Sequence, residues 1–359
     1  LANPNQKILF LAPYPFGRVA SQRFRFEQYW DLLPSWGISA SFQSFYNPSD
    51  FAILYKKGHY FLKIAAVFKG FLRRLYGLSQ VHRFDKIVVH REITPLGPPV
   101  FEYLISQWWG KKIVYDFDDA IWLSNTSSEN RLSSSFKCHW KVSCLCKWAW
   151  KVSCGNHFLQ EYAKRYQKEV FYTPTTLDLD AISSAKSHSS HPDFTIGWTG
   201  THSTLKYLEN ILPLLQSLEA QFDFTFLVIA DKDPQLELKN YQFIRWQKAT
   251  EWEDLSQLDL GLMPLDHSPW EEGKCGFKAL QYMSLGIPVI LSPTGANRRI
   301  VENGETGFVC ASMEEWREAI IRLKKDVFLR EKFAKKGAER VRDHYSKRAW
   351  QSHYQALFS

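Results

Sequence analysis

The sequence has no run of roughly eighteen uncharged apolar residues, which excludes an ordinary transmembrane helix. Cysteine is sparse and badly spaced for a disulfide framework: six in 359 residues, four of them between Cys138 and Cys154. Cys138, Cys144, Cys146 and Cys154, with His139 and His157 nearby, match no usual zinc pair spacing, so helix-facing or buried thiols are expected. No secretory pattern is visible, and the expected compartment is reducing and cytoplasmic. Leu1 stands where a start Met would be, so the natural start is expected to be missing or altered. A complete Gly-x-Gly-x-x-Gly is absent, as is any nucleic-acid-binding motif, so no nucleic-acid partner is expected despite the basic charge. Acid is missing from Lys56–Arg83, a stretch with seven Lys and Arg residues.

What is present fits a two-domain globular protein: 45% hydrophobic and 23% charged residues over a length that favours two domains. The net charge of +8 is uneven, with +10 on residues 1–190 and −2 on the remainder. The first half is therefore expected to meet something acidic, such as a membrane surface or a phosphorylated acceptor.

Apolar runs alternate with helical stretches. "KILFLAPYP", "KIVVHRE" and "KIVYDFDD" read as buried strands ending in polar residues. "SQRFRFEQYWDLLPSWG", with Ser21 as cap and Gly37 as stop, and "PPVFEYLISQWWG" read as helices between them. The alternation restarts at "FTIGWTG" and continues through "FTFLVIA", "YQFIRW", "LDLGLMPL" and "IPVILS". The fold class is α/β: two tandem Rossmann-like, doubly wound domains, expected to face each other across a cleft at the carboxyl ends of their strands. Boundaries are expected at residues 1–182 and 194–340, with a serine-rich linker at 183–193 and a C-terminal helix, 341–359, packing back on the first domain. The pentapeptide "WKVSC" occurs at Trp140–Cys144 and Trp150–Cys154. Ten residues is too short for a repeat architecture, and both copies are assigned to one aromatic helical segment.

In "EEGKCGFKALQYM" (Glu271–Met283) a glycine-bearing loop opens a helix, and Lys274 and Lys278 lie where that helix begins. A helix N-terminus is itself partly positive and disfavours cations by about 0.3–1 kcal/mol, so an anion is the expected occupant. Gly276 permits close backbone approach, Lys278 suits a diphosphate, and Gln281, one turn on, suits hydroxyls. A solvated lysine face without ligand is the competing reading. "GWTGTHSTLKYL" repeats the arrangement after an earlier strand, with Gly200, Thr201, Ser203 and Thr204 as caps and Lys206 in the first turn. In "VYDFDDAIW", Asp116, Asp118 and Asp119 could hold a metal, cap a helix, or orient sugar hydroxyls and act as a base. "HRE" (His90–Glu92) and the Gly17 loop fall at the same kind of strand edge. Phe61, Ile64, Phe68, Phe71, Leu72 and Leu75 follow helical spacing, with Lys63, Arg73 and Arg74 opposite. This reads equally as a helix lying on an anionic membrane through residues 56–83 or as an ordinary domain helix with its apolar side in the core.

From Gly273 to Phe308, "GKCGFKALQYMSLGIPVILSPTGANRRIVENGETGF" resembles the family-4 (group 1) retaining glycosyltransferases of the GT-B fold. The likeness extends to "FTIGWTG", "DLGLMPL", "CGNHFL" and "YDFDDAIW". It implies transfer of a sugar, of the hexosyl type, from a nucleotide-diphosphate donor with retained configuration. It also implies no obligatory metal and no cofactor apart from the nucleotide-sugar substrate. It places Lys206, Lys274, Gly276, Phe277 and Lys278, with Gly200 and Thr201, at the diphosphate. Gly17 and Arg18 would close over the donor. Asp118, or its rival Asp116, with His90 at the same edge, would lie by the reacting sugar. From the basic first half, the expected acceptor is a glycan or lipid-linked sugar in cell-surface polysaccharide synthesis, with the protein cytoplasmic or peripheral on the inner face of the membrane.

The departure from the family lies in its two glutamates separated by seven residues. The second, which binds ribose, corresponds to Gln281; the first, which contacts the donor sugar, falls on Gly273, next to Glu272. A neutral amide contributes ~0.5–1.5 kcal/mol where a charged partner contributes ~1.5–3. Glu272 is expected to shift into the missing role. A nucleotide-sugar epimerase and a catalytically silent sugar-nucleotide-binding protein remain the alternatives.

Overall fold

A computed structural model describes residues 6–54, 56, 58–124, 137–182 and 194–359. The linker expected at 183–193 lies outside them. The chain divides into two compact units, residues 1–175 with 351–359, and residues 176–350.

The first unit holds a six-stranded parallel sheet of β1 (Gln6–Ala12), β2 (Ile38–Ser44), β3 (Lys86–His90), β4 (Lys112–Phe117), β5 (Lys151–Cys154) and β6 (Val170–Tyr172), in the order β2-β1-β3-β4-β5-β6. β3 is buried throughout, and β4 and β5 are buried past their first residue, as expected for continuous apolar runs in a parallel sheet covered on both faces. The end of the Lys347–Phe358 helix belongs to this unit: Tyr354 stacks on Tyr29 at 4.0 Å, and the Phe358 ring meets Phe10 at 5.3 Å.

The second unit holds β7 (Thr195–Gly200), β8 (Thr225–Ala230), β9 (Tyr241–Arg245), β10 (Leu260–Met263), β11 (Val289–Leu291) and β12 (Phe308–Val309), in the order β12-β11-β10-β7-β8-β9. All its pairings are parallel. The strand order reverses between β7 and β10, and between β1 and β3 in the first unit; in open parallel sheets this is where ligands bind. The expected α/β class of two doubly wound domains is thus the observed one. No helix of the described residues is long and apolar enough to cross a membrane, and no disulfide joins the six cysteines.

Two local expectations are corrected. The helix expected from Ser21 to Gly37 is broken into a short helix at Ala20–Arg23 and 3-10 turns at Glu27–Leu32 and Pro34–Trp36. Pro34 cannot continue a helical ladder, and Ser21 is not the cap, because it lies inside the short helix, whose N-cap is Val19. The two "WKVSC" copies do not share a helical segment: the first enters the Lys141–Trp148 helix and the second forms β5.

Candidate active site

In the first unit, strand register assembles the site. His90 on β3 pairs with Asp116 on β4, and Asp116 pairs with Ser153 on β5, so the three side chains form a row on one face of the sheet. His90 Nδ1 lies 2.8 Å from Asp116 Oδ2, and Ser153 Oγ donates to Asp116 Oδ1 at 2.6 Å. The fully buried Arg25 closes the row, donating to both Asp116 oxygens and, through the same guanidinium, to the Thr173 carbonyl. Burial alone would raise the Asp116 carboxyl, but Arg25 and His90 hold it well below the usual carboxylate range. The other ring nitrogen of His90 faces Ser21 Oγ at 3.4 Å.

Asp118 and Asp119 belong to a separate cluster. Arg91 donates to Asp118 at 2.7 Å and to Asp119 at 2.5 Å. Arg91 sits at φ 60°, uncommon for a residue with a side chain. Its N–H donates to the Asp116 carbonyl at 2.7 Å, and its own carbonyl accepts from Tyr115 Oη at 3.0 Å. Burial would raise the Asp118 carboxyl too; Arg91 lowers it on balance. Gly17 turns the loop after β1 at φ 74° and donates to Glu27 at 2.8 Å, while Arg18 is exposed. Among the described residues no group of three or more His, Cys, Asp or Glu side chains could hold a metal ion.

In the second unit, the Phe277–Ser284 helix rests against β10 because Gly261 is flat: a Cβ there would meet the Tyr282 ring at 2.5 Å. Tyr282 Oη accepts from the Thr199 N–H of β7 at 2.9 Å. One turn earlier, on the same side of the helix, Lys278 Nζ sits 4.1 Å from the centre of the Trp198 ring. Gly276 opens the helix at φ 69°, and a Cβ there would strike Ile300 at 2.1 Å. Glycine as N-cap supplies no side-chain acceptor to this helix, and its first turn carries no acid. Lys278 makes no hydrogen bond or ion pair among the described residues. Burial, and then the nearby Lys274 charge, lower its ammonium pKa to about 7. Lys274 Nζ itself lies 5.2 Å from the Trp270 ring.

Lys206 differs from Lys278. It follows the turn in which Thr201 and Thr204 form a reciprocal cap, and its ammonium reaches Glu271 at 3.3 Å and Asp266 at 3.7 Å. Gly200 is required there, since a Cβ would meet the Trp198 ring at 2.2 Å.

Sequence reasoning missed two carboxylates. Glu271 is buried, accepting from Tyr207 Oη at 2.6 Å and from Ser268. Burial opposes its ionisation, yet the Ser268 and Tyr207 hydrogen bonds and the Lys206 charge lower its carboxyl on balance. "SPWE" is a readable signal for it, with Ser as cap, Pro first in the helix and Glu three residues after the cap. Glu272, the expected substitute for the family's first acid, accepts from Gly295 N at 3.2 Å and from Arg298. The second missed acid is Glu251, at the start of the Glu251–Leu255 helix. It is buried and accepts from Gln281 Nε2 at 3.1 Å. A carboxylate thus stands beside the Gln281 amide. Nothing local in the sequence signals this meeting across thirty residues.

Residues 193–326 match the family described as glycosyl transferases group 1. No curated protein matches the chain in sequence. Among solved structures, sucrose-phosphate synthase from Thermosynechococcus elongatus superposes with a TM-score of 0.69 at 15% identity, over 98% of this chain and 99% of that one. The Anabaena protein HepE, solved with UDP and glucose, gives 0.67 at 16% identity over 99% and 100%. The catalytic domain of Arabidopsis thaliana starch synthase IV, bound to ADP and acarbose, gives 0.68 at 12% identity over 99% of each chain. The fold is therefore that of the GT-B glycosyltransferases, and residues 193–326 are similar to the group 1 glycosyl transferases.

Proposed function

We propose that this protein is a retaining hexosyltransferase that moves a sugar from a nucleoside-diphosphate donor to a glycan or lipid-linked acceptor. Its setting in this reading is cytoplasmic assembly of a cell-surface polysaccharide. The observation that carries it is Lys278: a half-buried ammonium packed on the Trp198 ring, without an anionic partner among the described residues, in the first turn of a helix whose N-cap supplies no side chain. A diphosphate satisfies both features, and its growing negative charge at bond cleavage is what they would stabilise. Lys274, Gly276 and the Phe277 amide serve the same group. The Gly200–Thr201 turn and Lys206, held by Glu271, form the wall beyond β7. Glu251 and Gln281 together bind the ribose hydroxyls.

As the glycosidic bond to the diphosphate breaks, the acceptor oxygen bonds to the anomeric carbon, and the hydroxyl proton passes to the departing phosphate. The first unit serves the acceptor. There Asp116, with Arg25 and Ser153 on its oxygens, fixes the orientation of His90, and Asp118 fixes Arg91. UDP and ADP, found in the solved relatives, are the first probes. A nucleoside diphosphate at a hundredfold excess over its Kd should stabilise the fold by about 2.7 kcal/mol. A screen in which none raises Tm, or a Lys278→Ala variant that transfers sugar and binds nucleotide unchanged, overturns the proposal. The family match over residues 193–326 favours transfer over epimerisation or silent binding.

A further inference from the structure

The Tyr60–Gln80 helix is amphipathic the wrong way round for a soluble domain. Its inward face is Ala66, Gly70, Arg74 and Gly77. Gly70 and Gly77 let the backbone settle on Phe45 and Gln43, where a Cβ would come within 2.3 and 2.5 Å. Arg74, expected on an exposed cationic face, is buried instead and donates to the carbonyls of Ala12, Gln43 and Ile93 at 2.7, 2.9 and 2.8 Å. Arg73 is likewise turned to the Phe45 carbonyl and Asp50. The reading of this helix with its apolar side in the core is therefore corrected, since the apolar stripe faces outward. Phe61 is 89% exposed, Ile64 66%, Phe68 64% and Leu75 55%, with Leu72 between them. Their spacing of three and four residues makes one continuous strip. Only Phe71 of the apolar set turns inward, against Phe45 and Phe101.

Exposed apolar strips of this kind mark interaction surfaces. Charge identifies the occupant. Lys56, Lys63, Lys69 and Arg83 have no carboxylate partner among the described residues, and residues 56–83 contain no acid. A second copy docked through this strip would bring like charges together with no acid from the strip to offset them. An anionic bilayer accepts both features, with the ring and aliphatic side chains among the acyl chains and the lysines reaching back to the headgroups. Val100, Tyr103 and Trp108, also exposed, extend the apolar surface on the segment whose Phe101 packs against the helix. We propose that this outward strip seats the protein peripherally on an anionic lipid surface. This goes beyond sugar transfer and does not depend on it.

Flotation of the whole protein with two vesicle preparations tests the proposal. One is phosphatidylcholine alone; the other is equal parts phosphatidylcholine and phosphatidylglycerol. Binding to the mixed vesicles, weakened by salt, is expected. Phe68→Glu should lower partition by about tenfold or more, and Lys69→Glu by about fivefold. Both sites are exposed, so an unchanged melting curve shows that each variant is folded. The proposal is overturned if the protein ignores both vesicles or if folded Phe68→Glu binds as well as the parent. It is also overturned if, in the absence of vesicle binding, Phe68→Glu dissolves a dimer or releases a protein partner.

Discussion

The carboxyl edges of the two sheets handle charge in opposite ways. In the first unit, Asp116 is enclosed by Arg25, His90 and Ser153, and Asp118 and Asp119 share Arg91, so the charges are matched internally. In the second, Lys206 is matched by Glu271 and Asp266, but Lys278 is half-buried against Trp198 with Lys274 near. The first edge is a finished scaffold, rigid before anything binds. The second carries an electrostatic deficit that an anionic ligand would remove, and such a deficit locates a binding site better than a satisfied network does.

The contrast predicts different consequences for equivalent changes. Asp116→Ala should strand Arg25 in the interior and destabilise the first unit by about 3–5 kcal/mol, read by urea unfolding. Lys278→Met should do the reverse, leaving the fold at least as stable while weakening nucleoside-diphosphate binding by about 1.5–3 kcal/mol, or roughly 10–100-fold in Kd. Equal loss of stability in both variants would erase the distinction. Gln281→Glu, which puts the acid expected from the resemblance at this position, should destabilise this chain by about 1–3 kcal/mol, because it replaces a donor to buried Glu251 with a second carboxylate. A more stable or tighter-binding Gln281→Glu would remove Glu251 from the ribose site.

A further effect is in pH. Lys278 has a native pKa of about 7, below its ordinary value, so between pH 7 and the usual lysine range the unfolded chain holds a proton the native one has lost. Its contribution therefore destabilises the fold below pH 7 and lifts as pH rises, with a slope of at most about 1.4 kcal/mol per pH unit. Lys278→Met should flatten that part of the stability curve.

The strands were legible because parallel-sheet strands are continuous apolar runs, as "KIVVH" and "FLVIA" show. The glycine-opened helix was legible because Gly276 and two lysines break local rules together. What long-range packing decides was hidden. "WKVSC" is helix in one copy and strand in the other, since the second copy has β4 and β6 to pair with and the first does not. Arg25 reaches Asp116 across ninety-one residues, and Glu251 meets Gln281 only once both elements pack. The Tyr60–Gln80 stripe was visible in the sequence, but its direction depended on which side carried glycine.

The central claim is that Lys278 awaits a diphosphate. Its most direct test is calorimetric titration of UDP or ADP at pH 8 in two buffers of different ionisation enthalpy. A lysine with a pKa of about 7 is largely neutral there and must gain a proton to meet the anion. The account predicts uptake of about one proton per nucleotide bound, abolished by Lys278→Met. Binding without proton uptake, or the same uptake in the variant, would contradict it.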